Sequence, residues 1–491
     1  MRTRAFSEYY WIDEGLSIGI AKHHFFGIPG VLRQDGSPPL YYMLLHFWVQ
    51  AFGTGEHATH ALSLIFSTLC IPAGLWAGWS LFGPRVGIFT GIVCAADPFI
   101  TVYAQETRMY SLVALLSILC TALFLHVFVL RRRRYIPWFA VTLVALVYTH
   151  LWSAFFVFAA MATVGVLAWR QPAERRALLR DAAFGFGGAG LLYLPWLPTA
   201  LYQLKHTGAP WANGPTWRAA QQIPQTLLGQ TRQFVLVAII AAVGIVLAWR
   251  RRRLPGDRPA WVALGLLAGT VGLAWTISHA SGAWTPRYFA IFVGPLVLAV
   301  GWAFARARIV GVVGTAILVA GFWLYPHTPD KLILKSNAKL VAGDGAAHLK
   351  PGDLVLTTHP EQVPLIHLYM TKAGAHGLRW ATELGYVPDT GVMDWRDAVP
   401  RLRRTTVRKN LLPLLDAVPP GHLVYLIRPI VAREIEWRAP WTHLVKVRSA
   451  QWIHHMQRDP RFKLIHISNA FLGVSHRNGA VQGRLYVKTR R

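Results

Sequence analysis

The stretch YYWIDEGLSIGIAKHHFFGIPGVLRQDGSPPLYY, residues 9–42, is the part of the sequence around which the rest is organised. It sets two adjacent acids, Asp13 and Glu14, and a third, Asp35, among clustered aromatic residues and paired prolines, directly before a long apolar run. Carboxylates at the edge of a membrane are costly unless they have partners or a function. The pattern predicts an ordered loop at a membrane surface that carries a functional site.

The composition is that of a membrane protein. The chain has 491 residues, of which 54% are hydrophobic and 15% charged, whereas soluble domains average about 45–50% apolar and about 25% charged residues. Runs of roughly 20 apolar residues match the thickness of a bilayer. We therefore predict an α-helical polytopic membrane protein with ten visible spans, at 58–82, 86–104, 109–130, 136–150, 151–169, 181–200, 233–249, 259–277, 289–305 and 309–325.

The net charge of +28 is distributed in a way that indicates orientation. Arginine clusters fall in every second connection between spans, which is the positive-inside pattern of cytoplasmic loops. These connections are 83–85, 131–135, 170–180, 250–258 and 306–308. Residues 1–57 and those after about 326 then share the extracytoplasmic face. Nucleic-acid binding is disfavoured, because no basic motif interleaved with aromatic residues is present.

An N-terminus on the extracytoplasmic face needs a helix before it to reach that side. We expect an eleventh span upstream of the printed sequence; unaided insertion of the loop is the alternative. The predicted domains are an extracytoplasmic catalytic loop (1–57), a transmembrane domain (58–325) and a small extracytoplasmic α/β domain (326–491). The last is polar and contains short β-rich runs at 354–358, 423–427, 463–467 and 485–488. Its basic surface suits anionic lipid headgroups or an acidic acceptor glycan, or is ordinary surface charge.

A second acidic site lies on the same predicted face as Asp13 and Glu14. It is the short connection YAQETRMYSL, residues 103–112, which holds Glu106 and Arg108 close to the membrane surface. Two acidic sites and an arginine on one face favour catalysis over a structural role. Glu56, His57 and His60 have the spacing of a metal site, but a helix-end cap with surface histidines is the favoured interpretation. No metal site is predicted.

These motifs together resemble those of a known family. Trp-x-Asp-Glu (11–14), Asp-Gly-Ser-Pro-Pro-Leu-Tyr-Tyr (35–42), the 103–112 connection and Thr-Pro-Arg-Tyr (285–288) are similar to motifs of type C membrane glycosyltransferases (GT-C), of the protein-mannosyltransferase and aminoarabinose-transferase kind. The resemblance covers about residues 9–325. It implies an inverting glycosyltransferase that moves a sugar from a polyprenyl-phosphate donor to an extracytoplasmic acceptor, which is a protein, a lipid or a cell-envelope glycan.

The resemblance also implies roles for individual residues. Asp13 corresponds to the general base or acceptor-orienting acid, Glu14 completes its motif, and Glu106 matches the acid of the second loop. Arginine suits the developing phosphate charge, so Arg108 and Arg287 are the candidates for binding donor phosphate; a membrane-anchoring role for Arg287 stays open. The expected substrate-binding residues are Asp35, Tyr41, Tyr110, His150 and Tyr288.

The sequence departs from the family in ways that leave questions open. His60 stands where relatives usually have arginine, and the C-terminal domain carries no motif that indicates a substrate. Whether the sugar is a hexose or a pentose, and whether a divalent cation takes part, also stays open; no other cofactor is expected. The expected partners are the lipid donor, membrane lipids and the acceptor. The competing hypotheses are a lipid or polysaccharide transporter, which would carry ionisable residues within its spans or repeat symmetry, and a non-catalytic glycan-binding membrane protein.

Overall fold

The computed structural model describes residues 2–250, 255–324, 332–333, 335–431, 437–468 and 479–489. The chain is mainly helical up to residue 324 and continues into a domain built on one mixed β-sheet. Three short helices before the first long apolar run lie between these two parts, namely α1 (Ile12–Ala21), α2 (Ile28–Asp35) and α3 (Leu40–Phe52).

The segment predicted as a loop is therefore helical. Ile12, Leu16 and Ile20 recur at a spacing of four residues and are all buried, so they form one apolar face of α1. Asp13 and Glu14 lie in its first turn, where negative charge stabilises a helix. Helix α2 ends at Gly36, whose φ of 98° suits glycine. The dense aromatic and proline content concealed this short helical period.

Fourteen α-helices follow up to residue 324 in the described part of the chain. They are α4 (Glu56–Phe82), α5 (Pro84–Ala96), α6 (Pro98–Tyr103), α7 (Tyr110–Phe124), α8 (Ile136–Val147), α9 (Ser153–Arg170), α10 (Arg175–Tyr193), α11 (Leu197–His206), α12 (Trp217–Gln221), α13 (Ile223–Leu228), α14 (Thr231–Arg250), α15 (Arg258–Ser281), α16 (Val293–Arg306) and α17 (Arg308–Leu324).

Six helical segments of the described residues are long and apolar enough to cross a membrane. They are Glu56–Phe82, Tyr110–Val129, Ser153–Arg170, Thr231–Arg250, Arg258–Ser281 and Pro286–Arg306. Pro84–Ala96 and Arg308–Gly321 are apolar but shorter. The predicted span 86–104 is divided between α5 and α6, because Asp97 caps α6 by accepting the Ile100 N–H at 2.8 Å and Pro98 follows it. Ten or eleven crossings stay a prediction.

The C-terminal domain contains a six-stranded sheet in the order β3-β2-β1-β4-β6-β5. Strand β1 pairs in parallel with both β2 and β4. Strand β3 pairs antiparallel with β2, β6 with β4, and β5 with β6. The four β-rich runs of the sequence all form strands, and the predicted domain boundary at 325/326 lies outside the described residues. The elements are α18 (Ala338–Ala346), β1 (Leu354–Thr357), α19 (Val363–Lys372), β2 (Arg379–Thr382), β3 (Gly385–Tyr386), α20 (Ala398–Arg404), α21 (Leu412–Asp416), β4 (Leu423–Pro429), α22 (Pro440–Arg458), β5 (Phe462–Ile467) and β6 (Val481–Lys488).

Helix α1 packs closely on this C-terminal domain. A Cβ atom at Gly15 would lie 2.6 Å from the Cβ of Leu365, and one at Gly19 would lie 2.1 Å from the carbonyl oxygen of Gly391. The two glycines are four residues apart and so share one face of the helix. Their lack of side chains allows the domain to hold α1, and with it Asp13 and Glu14, at a fixed position.

Candidate active site

The two adjacent acids of α1 point in different directions. Successive residues of an α-helix are rotated by about 100°, so the Asp13 and Glu14 carboxylates cannot share a set of partners. Asp13 is directed towards Arg108 and Arg287, and Glu14 towards His60 and Lys335. The two acids of the Asp-Glu motif therefore belong to two separate clusters of side chains.

Asp13 forms the centre of the first cluster. Nη1 of Arg287 lies 2.9 Å from Asp13 Oδ2, and Nε of Arg108 lies 3.9 Å from the same atom. The Arg287 contact lacks the angles of a hydrogen bond and the Arg108 contact is too long for one, so Oδ2 has no hydrogen-bond partner among the described residues. The Asp13 side chain is 16% exposed. It is thus a charge-paired carboxylate that retains the capacity to accept a proton or a hydrogen bond.

Arg108 is held in place by neighbours from the N-terminal helices. Its Nη1 donates to Ser17 Oγ at 3.1 Å, to the Tyr42 hydroxyl at 3.2 Å and to the Asp13 carbonyl at 3.4 Å. The Arg108 side chain is only 10% exposed, and its Nε finds no hydrogen-bond partner in the described part of the chain. The surrounding anionic and phenolic groups keep the pKa of Arg108 high against the opposing effect of burial.

Arg287 is fixed by aromatic rings. Its guanidinium carbon lies 4.4 Å from the centre of the Trp211 ring and 5.5 Å from that of Trp11. Cation–π contacts of this kind favour arginine over lysine, because the planar guanidinium stacks on the ring. With Arg108, the cluster holds two cations for the one carboxylate of Asp13, which leaves positive charge to bind an anion.

Glu14 has a complete set of partners. Its Oε1 lies 2.7 Å from His60 Nε2 and accepts the Thr107 N–H at 2.9 Å, while Oε2 accepts from Lys335 Nζ at 2.8 Å. The side chains of Glu14, His60 and Lys335 are all 0% exposed. Burial alone raises the pKa of Glu14, but the charge of Lys335, followed by that of His60, outweighs burial and brings it to about 2.

This second cluster joins three parts of the chain. His60 belongs to α4, Thr107 to the 103–112 connection, and Lys335 to the C-terminal domain. Lys335 Nζ also donates to the Gln105 carbonyl at 3.2 Å. At the start of α4, Glu56 accepts from Lys339 and from the Tyr369 hydroxyl. Glu56 and His60 thus contact residues of the C-terminal domain in this structure.

Asp35 lies beside the Asp13 cluster without pairing directly with a cation. Burial raises its pKa to about 6; a hydrogen bond from Ser37 and the charge of Arg108 oppose this rise, while Asp13 adds to it. Its Oδ2 is buried and lacks a hydrogen-bond partner within the described ranges. Tyr41 is also buried, and the centre of its ring lies 5.8 Å from that of Tyr42. It therefore packs behind Tyr42, whose hydroxyl accepts from Arg108.

An aromatic wall encloses the other side of the cluster. The ring of His150 lies 4.6 Å from that of Tyr288 and 6.0 Å from that of Tyr110, and the Tyr110 ring faces Arg108 at 5.7 Å. The Trp152 N–H donates to His150 Nδ1, so the neutral ring carries its proton on Nε2. Burial, followed by the charges of Arg108 and Arg287, lowers the pKa of His150 to about 3. A neutral imidazole is available as a hydrogen-bond donor.

Glu106 is buried but isolated. It is 2% exposed, and its carboxylate forms neither an ion pair nor a hydrogen bond with any described residue. Its carbonyl accepts the Arg108 N–H at 2.8 Å, so its backbone helps to shape the connection. The described residues contain no group of three or more His, Cys, Asp or Glu side chains placed to hold a metal ion.

Nine of the ten predicted site residues thus lie in or beside the two clusters, with the Glu106 carboxylate turned to neither. Sequence reasoning missed Tyr42 and Ser17 as ligands of Arg108, and Trp11 and Trp211 as rings around Arg287. It also missed Lys335, which no local pattern marks. The adjacent tyrosines of the 35–42 motif were the available signal for Tyr42.

The geometry can be compared with known proteins. Protein-family models and curated protein sequences give no match. Among solved structures, ArnT from Cupriavidus metallidurans bound to undecaprenyl phosphate is similar with a TM-score of 0.61 and 15% identity, over 99% of this chain and 95% of that one. Its apo structure gives a TM-score of 0.59, 11% identity and the same coverage. The fold is that of a type C membrane glycosyltransferase.

This GT-C fold confirms the resemblance drawn from the sequence and extends it to the whole described chain, including the C-terminal domain. An Archaeoglobus fulgidus oligosaccharyltransferase tethered to an acceptor peptide is a more distant match, with a TM-score of 0.45, 11% identity, and coverage of 84% of this chain and 63% of that one. At these identities the likeness concerns the fold, and residue roles must be argued from the site itself.

Proposed function

We propose that this protein is an inverting glycosyltransferase that moves a sugar from a polyprenyl-phosphate donor to an acceptor hydroxyl at the extracytoplasmic membrane surface. The observation that carries the proposal is the pairing of one incompletely bonded carboxylate, Asp13, with two buried arginines. This transfer requires a carboxylate that receives a proton. It also requires excess positive charge that stabilises the phosphate.

The reaction needs no covalent enzyme intermediate. The acceptor oxygen attacks the anomeric carbon while the bond from that carbon to the phosphate oxygen breaks, which inverts the configuration. Asp13 takes the acceptor proton, and the leaving electron pair stays on the phosphate. Arg108 and Arg287 stabilise the phosphate charge as it develops, and the Nε2–H of His150 donates to an oxygen of the donor. Phosphate leaves readily, so no strong general acid is required.

Glu14 and Lys335 support this arrangement from behind. Because Glu14 is saturated by buried partners, we assign it to positioning α1 and not to contact with substrate. Tyr110, Tyr288 and Asp35 line the space around the cations and are assigned to substrate binding. Tyr41 supports Tyr42, and Glu106 shapes the connection through its backbone.

The proposed orientation is supported by the separation of charges along α7 and the residues that continue it to Val129. Arg108 and the arginine cluster 131–134 are divided by the apolar segment Tyr110–Val129, and 20 helical residues extend about 30 Å, the thickness of the bilayer core. The positive-inside rule puts residues 131–134 in the cytoplasm. The candidate site and the C-terminal domain then belong to the extracytoplasmic side.

The test is sugar transfer in membranes from radiolabelled polyprenyl-phosphate donors, with hexose and pentose donors offered in parallel. We expect the wild type to release sugar from one donor and Asp13→Asn to lose this release. Asp416→Asn, which neutralises an exposed carboxylate of the C-terminal domain that pairs with Arg461, is the matched control and should retain it. Full transfer by a well-folded Asp13→Asn protein would remove Asp13 as the base. Lipid movement across vesicles without transfer would favour a transporter.

A further inference from the structure

Two cavities that share lining residues form a groove that runs along the C-terminal domain to the end of α1. The larger, about 490 Å³, lies against α19, β2 and β3, and the smaller, about 200 Å³, reaches Gly19, Lys22 and His23 at the end of α1. They share His367 and Thr390. We call this feature the α1 groove. Its larger part has the size of small-ligand pockets in general, roughly 300–1,000 Å³.

The α1 groove is lined by basic side chains. Lys22 and Arg379 carry full positive charges, and His23, His367 and His376 add three imidazoles. No aspartate or glutamate lines either cavity, and neither Lys22 nor Arg379 forms an ion pair with a described residue. Asp389, which stands between the lining residues Pro388 and Thr390, is already bound to His23 at 2.8 Å. A groove with this lining attracts an anion.

Part of the lining is rigid and aromatic. Nε of Arg379 donates to the Gly352 carbonyl at 2.9 Å and Nη1 to the Ala417 carbonyl at 3.2 Å, so the guanidinium is held before any ligand arrives. His367 packs edge-on against Trp380 with ring centres 5.3 Å apart. Tyr386, 52% exposed, offers a free aromatic face at the rim. Aromatic faces beside fixed polar groups are features of a site for a shaped ligand.

The α1 groove lies on the helix that carries Asp13. From Asp13 to Lys22 is nine helical residues, or about 14 Å at 1.5 Å per residue, and the rotation of about 100° per residue puts the two side chains on opposite sides of α1. A ligand anchored in the groove that also presents a hydroxyl to Asp13 must therefore pass half-way round the helix as well as about 14 Å along it. This distance excludes a single sugar as the bridging ligand and favours a chain of several units.

We propose that the α1 groove binds an acidic sugar unit of the acceptor, so that the acceptor is an anionic oligosaccharide or polysaccharide. The proposal rests on the proposed function, because the groove is taken to hold the substrate whose hydroxyl reaches Asp13. The acidic group is a carboxylate or a phosphate ester; both present anionic oxygens to Lys22 and Arg379. A concave, aromatic-rimmed groove fits a glycan, whereas a membrane surface would engage a convex basic patch.

The test is calorimetric titration of the full-length protein in detergent. The probes are trigalacturonate, maltotriose phosphorylated on its terminal sugar, and unmodified maltotriose as the neutral control. We expect one or both acidic trimers to bind and neutral maltotriose to bind at least tenfold more weakly. Lys22→Gln combined with His376→Gln should weaken acidic-trimer binding about tenfold, because the pair removes one positive charge and one imidazole from the lining.

The control variant is Lys463→Gln. It removes one positive charge from β5, at the edge of the sheet opposite β3, and should leave binding unchanged. Equal binding of acidic and neutral trimers, no binding of either acidic trimer, or no effect of the groove variants would overturn the proposal. So would groove-dependent binding to phosphatidylglycerol vesicles in place of acidic trimers, because the groove would then be a lipid contact.

Donor-sugar release measured separately distinguishes the two proposals. If Asp13-dependent release occurs and the groove variants transfer normally to acidic acceptors, the groove proposal fails and the glycosyltransferase stands. If acidic trimers bind in the groove and no donor releases sugar, the proposed function fails, and with it the groove's role as an acceptor site.

Discussion

Asp13 and Glu14 are consecutive in the sequence, yet their surroundings have little in common. Asp13 is paired with arginines across incomplete hydrogen-bond geometry and remains partly exposed. Glu14 is fully buried and saturated by a lysine, a histidine and a backbone N–H. The first arrangement leaves a carboxylate available for chemistry, and the second uses a carboxylate to join domains. A shared motif therefore does not imply a shared role.

The largest expected effect separates the two acids by activity. Asp13→Asn should reduce transfer about 10²–10⁴-fold, because it removes the proposed general base, while thermal unfolding changes little. Glu14→Gln should show the reverse order of sensitivity, with unfolding affected more than transfer per folded molecule. Both quantities are measured on the same detergent preparations. Equal effects of both variants on transfer at unchanged stability would contradict the division of roles.

The second expected effect breaks the Glu14 cluster from the side of the C-terminal domain. Lys335→Met should lower the free energy of unfolding by about 3–5 kcal/mol, since removal of one partner leaves a buried charge uncompensated. The double variant Glu14→Gln/Lys335→Met should cost less than the two single variants together. Additive losses in this double-mutant cycle would show that the two side chains do not act as a pair.

A third effect appears as pH is changed. The pKa of Glu14 is about 2 against an ordinary 4.5, so its contribution, about 3 kcal/mol, is present above pH 4.5 and is lost as pH falls towards 2. The contribution of Asp35 to stability changes with pH in the opposite direction. Its pKa is raised from 3.8 to about 6, so it favours the folded state below pH 3.8 and loses this contribution as pH rises through 6.

These pH ranges are tested by measuring the free energy of unfolding against pH. The value for Glu14→Gln or Asp35→Asn is subtracted from that of the wild type at each pH. The stability advantage of the wild type over Glu14→Gln should shrink on acidification below pH 4.5. Relative to Asp35→Asn, the wild type should lose stability between about pH 4 and 6. Parallel curves across both windows would mean that neither carboxylate is coupled to folding as described.

The smallest expected effect concerns the contact that holds α1. Gly19→Ala would force a Cβ against the Gly391 carbonyl and should cost about 1–3 kcal/mol, as overpacking does. Gly30→Ala, in helix α2 with no atom within 4 Å of the added Cβ, is the matched control. It should be neutral or slightly stabilising, because alanine is the better helix former. Equal costs for both variants would point to helix propensity instead of docking.

Local sequence patterns predicted much of this structure. Apolar runs marked the long helices, the β-rich runs marked the strands, and the 103–112 connection placed Arg108 at the site. They did not predict that residues 9–52 contain three helices, because aromatic and proline clusters obscure a short helical period. Local patterns could not predict the role of Lys335, because its partner Glu14 is 321 positions away in the sequence. Which acid stays available depends on such distant partners, and this cannot be read from neighbouring residues.

The close packing of α1 on the C-terminal domain has a consequence for biogenesis. Helix α1 leaves the ribosome more than 300 residues before Lys335, Leu365 and Gly391 are made. Until then the Glu14 carboxylate lacks its lysine, and the glycine face of α1 has nothing to pack against. The candidate site is therefore assembled late in synthesis, and a chain released early lacks the contacts that fix α1 however well its membrane helices have inserted.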